Sequence, residues 1–258
     1  MEEIFPHFPA FLLIVVRVTT FFVAMPIFSY RSIPVQHRVG LGIFLAWIMY
    51  YTIEAPVLDL DVTFYLFIIK EALVGLFIGF AAYMILSAVQ IAGGLIDFQM
   101  GFSIANVIDP QTGAQSPLMG QYLYTIALLF LLSTNGHHLL LDGIFYSYQF
   151  IPIDQLFVPF GDHTLMEYLA KAFSKAFMIA FQMSIPVVGS IFLVDVTLGI
   201  LARTVPQLNV FVVGIPVKII AGLAVIVLVM GMMMTVVTQL FNFLLLTMRH
   251  LMQLIGGA

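Results

Sequence analysis

The sequence predicts an all-α, multi-pass integral membrane protein built from long, broken helical hairpins. Three observations predict it. Hydrophobic residues make up 62% of the 258 and charged residues only 9%, against about 45–50% and about 25% in soluble domains, and mean hydropathy is +1.11. The apolar residues gather into six runs, most of them long enough to supply the ~20 residues with which a helix crosses a bilayer. No polar stretch between them is long enough for a separate soluble domain, so residues 1–258 read as a single membrane domain.

The first run, Phe5 to Pro26, follows Met1-Glu2-Glu3. That start lacks the basic region of a secretory signal peptide, so the run is expected to stay in the mature chain. The second, Val39 to Ile53, is short for a span. The third, Phe64 to Ile96, carries Gly75 and Gly79, a spacing of small residues that lets two helices approach closely. Gly93-Gly94 near its end reads as a break. The fourth, Gln121 to Tyr148, contains Gly136, which suggests a helix end or a bend. The fifth, Tyr168 to Ala202, holds Pro186, whose missing N–H should kink it. The sixth, Val210 to Met248, holds Met230-Gly231-Met232-Met233-Met234, flexible side chains suited to ordinary packing or to a deformable passage. The third, fifth and sixth runs exceed one membrane thickness and must tilt, bend, break or project beyond it. Arg31 and Arg38 after the first run, and Arg203 and Lys218 after the fifth, place those two loops on the cytoplasmic side and the N-terminus outside. Lys171 and Lys175 argue the other way.

The net charge of −4 includes no basic stripe of the kind nucleic acid requires. With no cysteine, the chain has no disulfide, thiolate metal site or thiol nucleophile. His138 and Asp142 are four apart and share a helix face beside His137, but two ligands do not make a metal site. No nucleophile–base arrangement and no phosphate loop is present, so neither catalysis nor a cofactor or metal is expected. Four ionisable residues stand in apolar surroundings as buried ion-pair candidates: Arg17, Lys70, Glu71 and Asp195. Such groups face protein or water and have partners, as an ion relay or as ion pairs between helices. Lys70 and Glu71 are adjacent, point about 100° apart on a helix, and are expected to pair elsewhere rather than with each other.

Two segments combine polar residues with turn signals. Residues 93–120 contain Asp109-Pro110 and Gly113, a turn signal, amid Phe102, Ile104, Val107 and Ile108, too apolar for a solvated loop, and Gln99, Asn106, Gln111 and Gln115, too polar for lipid. Such a loop folds into the protein interior or a pore, where an apolar constriction could exclude water and ions, or it lies at an interface. Residues 203–218 hold two prolines, a glycine, a glutamine, an asparagine and two cations between apolar runs. At membrane depth that backbone needs protein or water around it.

The first segment, with Gly93-Gly94, Gln99-Met100-Gly101-Phe102-Ser103, Ala105, Asp109-Pro110, Gln115 and Ser116-Pro117, resembles the FliR family of the flagellar type III protein export apparatus. So does the second, with Leu201-Ala202-Arg203, Pro206-Gln207-Leu208-Asn209-Val210-Phe211, Gly214 and Pro216; Gly136-His137 also falls where that family has a glycine–histidine step. The resemblance covers nearly the whole chain. It implies a structural and gating subunit, not an enzyme. That subunit joins FliP-like and FliQ-like membrane subunits in a helical export gate, with FlhB and FlhA as further partners, in the bacterial inner membrane at the flagellar basal body. Unfolded flagellar substrates would pass through the gate. It implies further that the loop from Phe102 to Leu118 plugs the closed pore, with Gly101, Phe102, Ser103, Ile104, Ala105, Asn106, Val107, Ile108, Asp109 and Pro110 as gating residues. Ile104 and Val107 make the seal aliphatic where the family often has larger or aromatic side chains. Arg203, Pro206, Gln207, Leu208, Asn209, Phe211, Gly214 and Pro216 form the subunit-packing motif. An equivalent subunit of a virulence injectisome would carry nearly the same pattern. A small-solute secondary transporter or channel is the alternative of another class, and it usually shows two related halves, which this sequence lacks.

Overall fold

The computed structural model describes residues 8–29, 33–53, 56, 58, 60–102, 117–205, 207 and 209–257. Among them run seven helices: α1 (Phe8–Ala24), α2 (Val35–Tyr50), α3 (Val62–Met100), α4 (Leu118–Ser133), α5 (Gly136–Phe150), α6 (His163–Thr204) and α7 (Val210–Gly256). Each apolar run of the sequence contains a helix, with two differences. The fourth run is two helices, bent by 75° at Thr134–Asn135, where Asn135 takes the left-handed conformation at φ 57°. Asparagine tolerates that geometry better than most residues. The expected break at Gly93-Gly94 does not occur, since α3 continues unbroken for 39 residues to Met100. Pro186 and Pro216 lie inside α6 and α7, which continue through them for 42 and 47 residues. Lys218 accordingly belongs to α7, not to a loop.

By length and composition α3, α6 and α7 can each cross a membrane, and the bent α4–α5 pair makes a fourth candidate. In its most apolar window α3 is 56% buried, whereas α6 and α7 are 17% buried. Of the three, α3 is thus the most buried, while α6 turns apolar side chains such as Phe177, Phe181 and Ile185 outward and α7 turns out Ile220, Val227 and Leu228.

Two compact units make up the chain. The first comprises Met1–Leu86, Asn135–Phe173 and Asn242–Ala258. Its α1 buries Ala10, Leu13, Ile14, Arg17, Val18, Phe21 and Phe22, a stripe at the 3.6-residue period. The stripe meets α3 where Gly75 and Gly79 stand. A Cβ at Gly75 would overlap the Arg17 carbonyl and the Thr20 hydroxyl, and one at Gly79 would come within 3.0 Å of Ala24 and the Phe21 carbonyl. Both glycines thus serve the close approach that their spacing predicts. In lipid, apolar side chains gain little from leaving one apolar phase for another, so such backbone proximity and polar contacts decide which helices pair. On the other side of α1, Phe11 meets Trp47 and Tyr50 of α2 edge-on, at ring distances of 5.8 and 5.9 Å. The second unit comprises Ser87–Thr134 and Ser174–Phe241. Here Gly93 lies against the backbone of Gly120 with no room for a Cβ, Phe130 stacks on Phe241, and Gly222 of α7 abuts the Met100 side chain.

Candidate functional site

In the first unit Arg17, Lys70 and Glu71 converge, each 5% exposed or less. Arg17 Nε donates to Glu71 Oε2, and its Nη2 donates to Glu71 Oε1 at 2.9 Å. Nη1 donates to the Ser147 hydroxyl at 3.1 Å, Nη2 also reaches the Ile151 carbonyl at 2.9 Å, and the guanidinium sits 4.0 Å from the centre of the Tyr148 ring. Lys70 Nζ lies 2.6 Å from Glu71 Oε1 and donates to the carbonyls of Pro152 and Ile153 at 2.9 and 3.1 Å. This corrects the expectation that the adjacent pair would part. The lysine stem is long enough to swing toward the same carboxylate that Arg17 holds.

Two cations against one carboxylate leave one positive charge in excess, and the local backbone accounts for it. Pro152 stops α5, because it lacks an N–H and disfavours helical geometry in the residue before it. The carbonyls of residues 151–153 are therefore free to accept from side chains, and the C-terminus of a helix carries about half a negative charge. Arg17 and Lys70 fill that role. The assembly ties α1, α3 and the end of α5 together, and apart from the Lys70–Glu71 pair on α3 the contacts just described run between helices or to a helix end. Its chemistry is that of a satisfied structural network.

The described ends of the loop that follows α3 lie in the second unit. Gly101 ends α3 at φ 90°, and Gly101 N and Phe102 N both donate to the Asp97 carbonyl at 3.1 Å. The Asp97 carboxylate, 4% exposed, accepts from Met119 N at 2.9 and 3.1 Å and from Gly120 N at 3.4 Å. Two residues beyond Asp97, Gln99 Nε2 donates to Asp195 Oδ2 of α6 at 2.9 Å, and Asp195 Oδ1 pairs with Lys218 of α7 at 2.9 Å. Asp195 thus finds its partners on α3 and α7. The predicted gating residues Ser103, Ile104, Ala105, Asn106, Val107, Ile108, Asp109 and Pro110 lie outside the described residues; Gly101 and Phe102 form the turn at the end of α3.

Of the second polar segment, Arg203 lies exposed in the last turn of α6, where a cation suits the helix end. Gln207 is exposed in the turn, and Asn209 opens α7 by accepting from Val212 N and Val213 N through its carbonyl at 3.1 and 3.2 Å. Gly214 is buried and Pro216 exposed within α7. Pro206 and Leu208 lie outside the described residues, and Phe211 is placed in α7 by its backbone alone. The rings of His137 and His138 lie 4.1 Å apart at the start of α5. Among the described residues no group of three or more His, Cys, Asp or Glu side chains is placed to hold a metal.

Sequence reasoning missed Ser147, Tyr148 and Asp97. A signal existed for the first two: Pro152 follows the fourth apolar run by four residues and must end its helix, so polar groups one turn earlier stand beside open carbonyls. For Asp97 there was none, because the uncapped start of α4 at Pro117 shows only in the structure.

The sequence model of bacterial export proteins, family 1, matches residues 8–244. Flagellar biosynthetic protein FliR of Bacillus subtilis is 56% identical over 257 residues, covering 99% of this chain and 99% of that protein. FliR of Escherichia coli is 27% identical over 88% of this chain and 86% of its own length. Yop proteins translocation protein T of Yersinia pestis is 30% identical over 86% of each chain.

Proposed function

From the premise that the chain belongs to the bacterial export proteins, family 1, and within it to the FliR family, we propose that it is a gating subunit of the flagellar protein export pore. That it is a multi-pass membrane protein of the flagellar export apparatus follows from the family and from its three or four apolar spans. The finer reading is that it assembles with FliP-like and FliQ-like subunits in the inner membrane, with FlhB and FlhA adjoining. Unfolded flagellar proteins pass through the shared pore, and the chain itself turns over no substrate. The observation that carries this reading is the identity of 56% along the full length of a flagellar FliR, which also favours a flagellar role over an injectisome one, at 30%.

Three features support it. The apolar outward faces of α6 and α7 suit partner subunits as well as lipid. Arg203, Gln207 and Asn209 stand exposed between those helices, where a packing motif would meet a neighbour. The segment Gly101–Leu118, too apolar for water and too polar for lipid, leaves and re-enters at one point of the second unit, as a pore plug requires. Deleting residues 103–116 from the assembled membrane complex is expected to leave its composition unchanged and to raise ion conductance in planar bilayers. Unchanged conductance in a complete complex would refute the gating role.

A further inference from the structure

We propose that Asp97 is a positioning residue that fixes both ends of the segment between α3 and α4, an inference that rests on the reading of that segment as the pore-closing element. One residue bonds the departing chain with its backbone and the returning chain with its side chain. The Asp97 carbonyl accepts from Gly101 and Phe102, and its carboxylate accepts from Met119 and Gly120. The first N–H groups of a helix have no intrahelical partner and need an acceptor. Pro117, at the position that normally supplies one, has none, and no side-chain cap is made there. A carboxylate from α3 therefore caps α4 across the helix–helix contact, at the end where the helix dipole favours an anion. The contact admits it because Gly93 has no Cβ, which would otherwise strike the Gly120 backbone.

The rest of the last turn of α3 is anchored as well. Met100 is fully buried against Gly222, and Gln99 is held by Asp195, itself paired with Lys218. The described root of the segment is thus fixed by α3, α4, α6 and α7. A plug that must return to one seat after each opening needs such a root. Without it the two ends could part, and the segment would span a variable gap.

The absence of cysteine makes a direct test available. A Cβ built on Gly94 lies 4.0 Å from the Pro117 Cβ, inside the ~3.5–4.5 Å range that a disulfide bridges. The pair Gly94→Cys and Pro117→Cys, in the complex purified with its partner membrane proteins, is expected to cross-link rapidly under mild oxidation. Asp97→Asn keeps the size but loses the charge. It is expected to slow that cross-linking several-fold and to raise the resting ion conductance of the complex. Oxidising the pair should bring conductance back, and reductant should release it again, a reversal that general destabilisation would not give. Assembly in the oxidised form followed by reduction covers the case in which Asp97→Asn hinders assembly. Equal cross-linking rates with and without Asp97→Asn would overturn the proposal. Slower cross-linking with unchanged conductance would leave Asp97 as the clamp and refute the pore-closing reading instead.

Discussion

Replacing Glu71 by glutamine tests how the first unit is held together. The carboxylate accepts two hydrogen bonds from Arg17 and pairs with Lys70 at 2.6 Å, with no exposed surface of its own. Glutamine keeps the shape, but it removes the sole carboxylate of the network and turns an amide N–H₂ toward a cation. Unit charges about 4 Å apart attract by about 4 kcal/mol at an effective dielectric of about 20. Breaking a buried pair by removing one partner costs about 3–5 kcal/mol, so the two estimates agree. The expected loss is at the upper part of that range, because two cations share the carboxylate and the partial charge at the end of α5 cannot balance both. Replacing Arg17, Lys70 and Glu71 together by Met, Met and Leu removes all three charges. It should recover much of the loss, since well-packed apolar side chains often substitute for buried ion pairs without penalty. The assay is unfolding of the protein within its purified complex, followed by protease susceptibility at the α5–α6 turn, where Pro152 and Ile153 are tethered. A change below about 0.5 kcal/mol on Glu71→Gln, the size of an ordinary surface substitution, would refute the reasoning. So would a triple variant less stable than the single one.

Two further outcomes follow from the same geometry. Gly75→Val should disrupt the α1–α3 contact by about 1–3 kcal/mol, read as reduced accumulation of folded chain in membranes, whereas Gly40→Ala, which meets no atom within 4 Å, should be neutral. Asp162 caps α6 through bonds from the Thr164 hydroxyl and backbone N–H, and these hold its carboxyl below the usual carboxylate range. A folded-state pKa below the unfolded one means that the cap stabilises above the unfolded value and is lost as pH falls through the folded one. Protection from hydrogen exchange in the first turn of α6, measured against the intrinsic rate at each pH, should therefore fall as pH drops below about 4, and Asp162→Ala should abolish that dependence.

Much of the fold was legible because a membrane chain writes its helices as apolar runs. The spacing of Gly75 and Gly79 also announced a close contact, although not that α1 would fill it. What stayed hidden depends on tertiary placement. Gly93-Gly94 looks like a helix break in isolation, yet it is the flat side of α3 against which Gly120 rests. Lys218 looked like a loop charge because Pro216 precedes it, but α7 runs through Pro216 and places Lys218 beside Asp195. Asp97 carries no sequence mark of its own, because its partners are backbone N–H groups two dozen residues away. The pairing of Lys70 with Glu71 was misjudged from helical angles alone, which ignore the reach of a lysine. Of the segment 203–218, only the stretch between Thr204 and Val210 is a turn; from Val210 on, Pro216 included, it is the start of α7.

The central claim, that this chain is one subunit of a mixed export gate, is tested most directly by native mass spectrometry of the chain co-expressed and purified with its neighbouring membrane proteins. The account predicts a large complex that holds this chain together with several copies each of FliP-like and FliQ-like subunits. A stable monomer or homodimer that ignores those partners would contradict it.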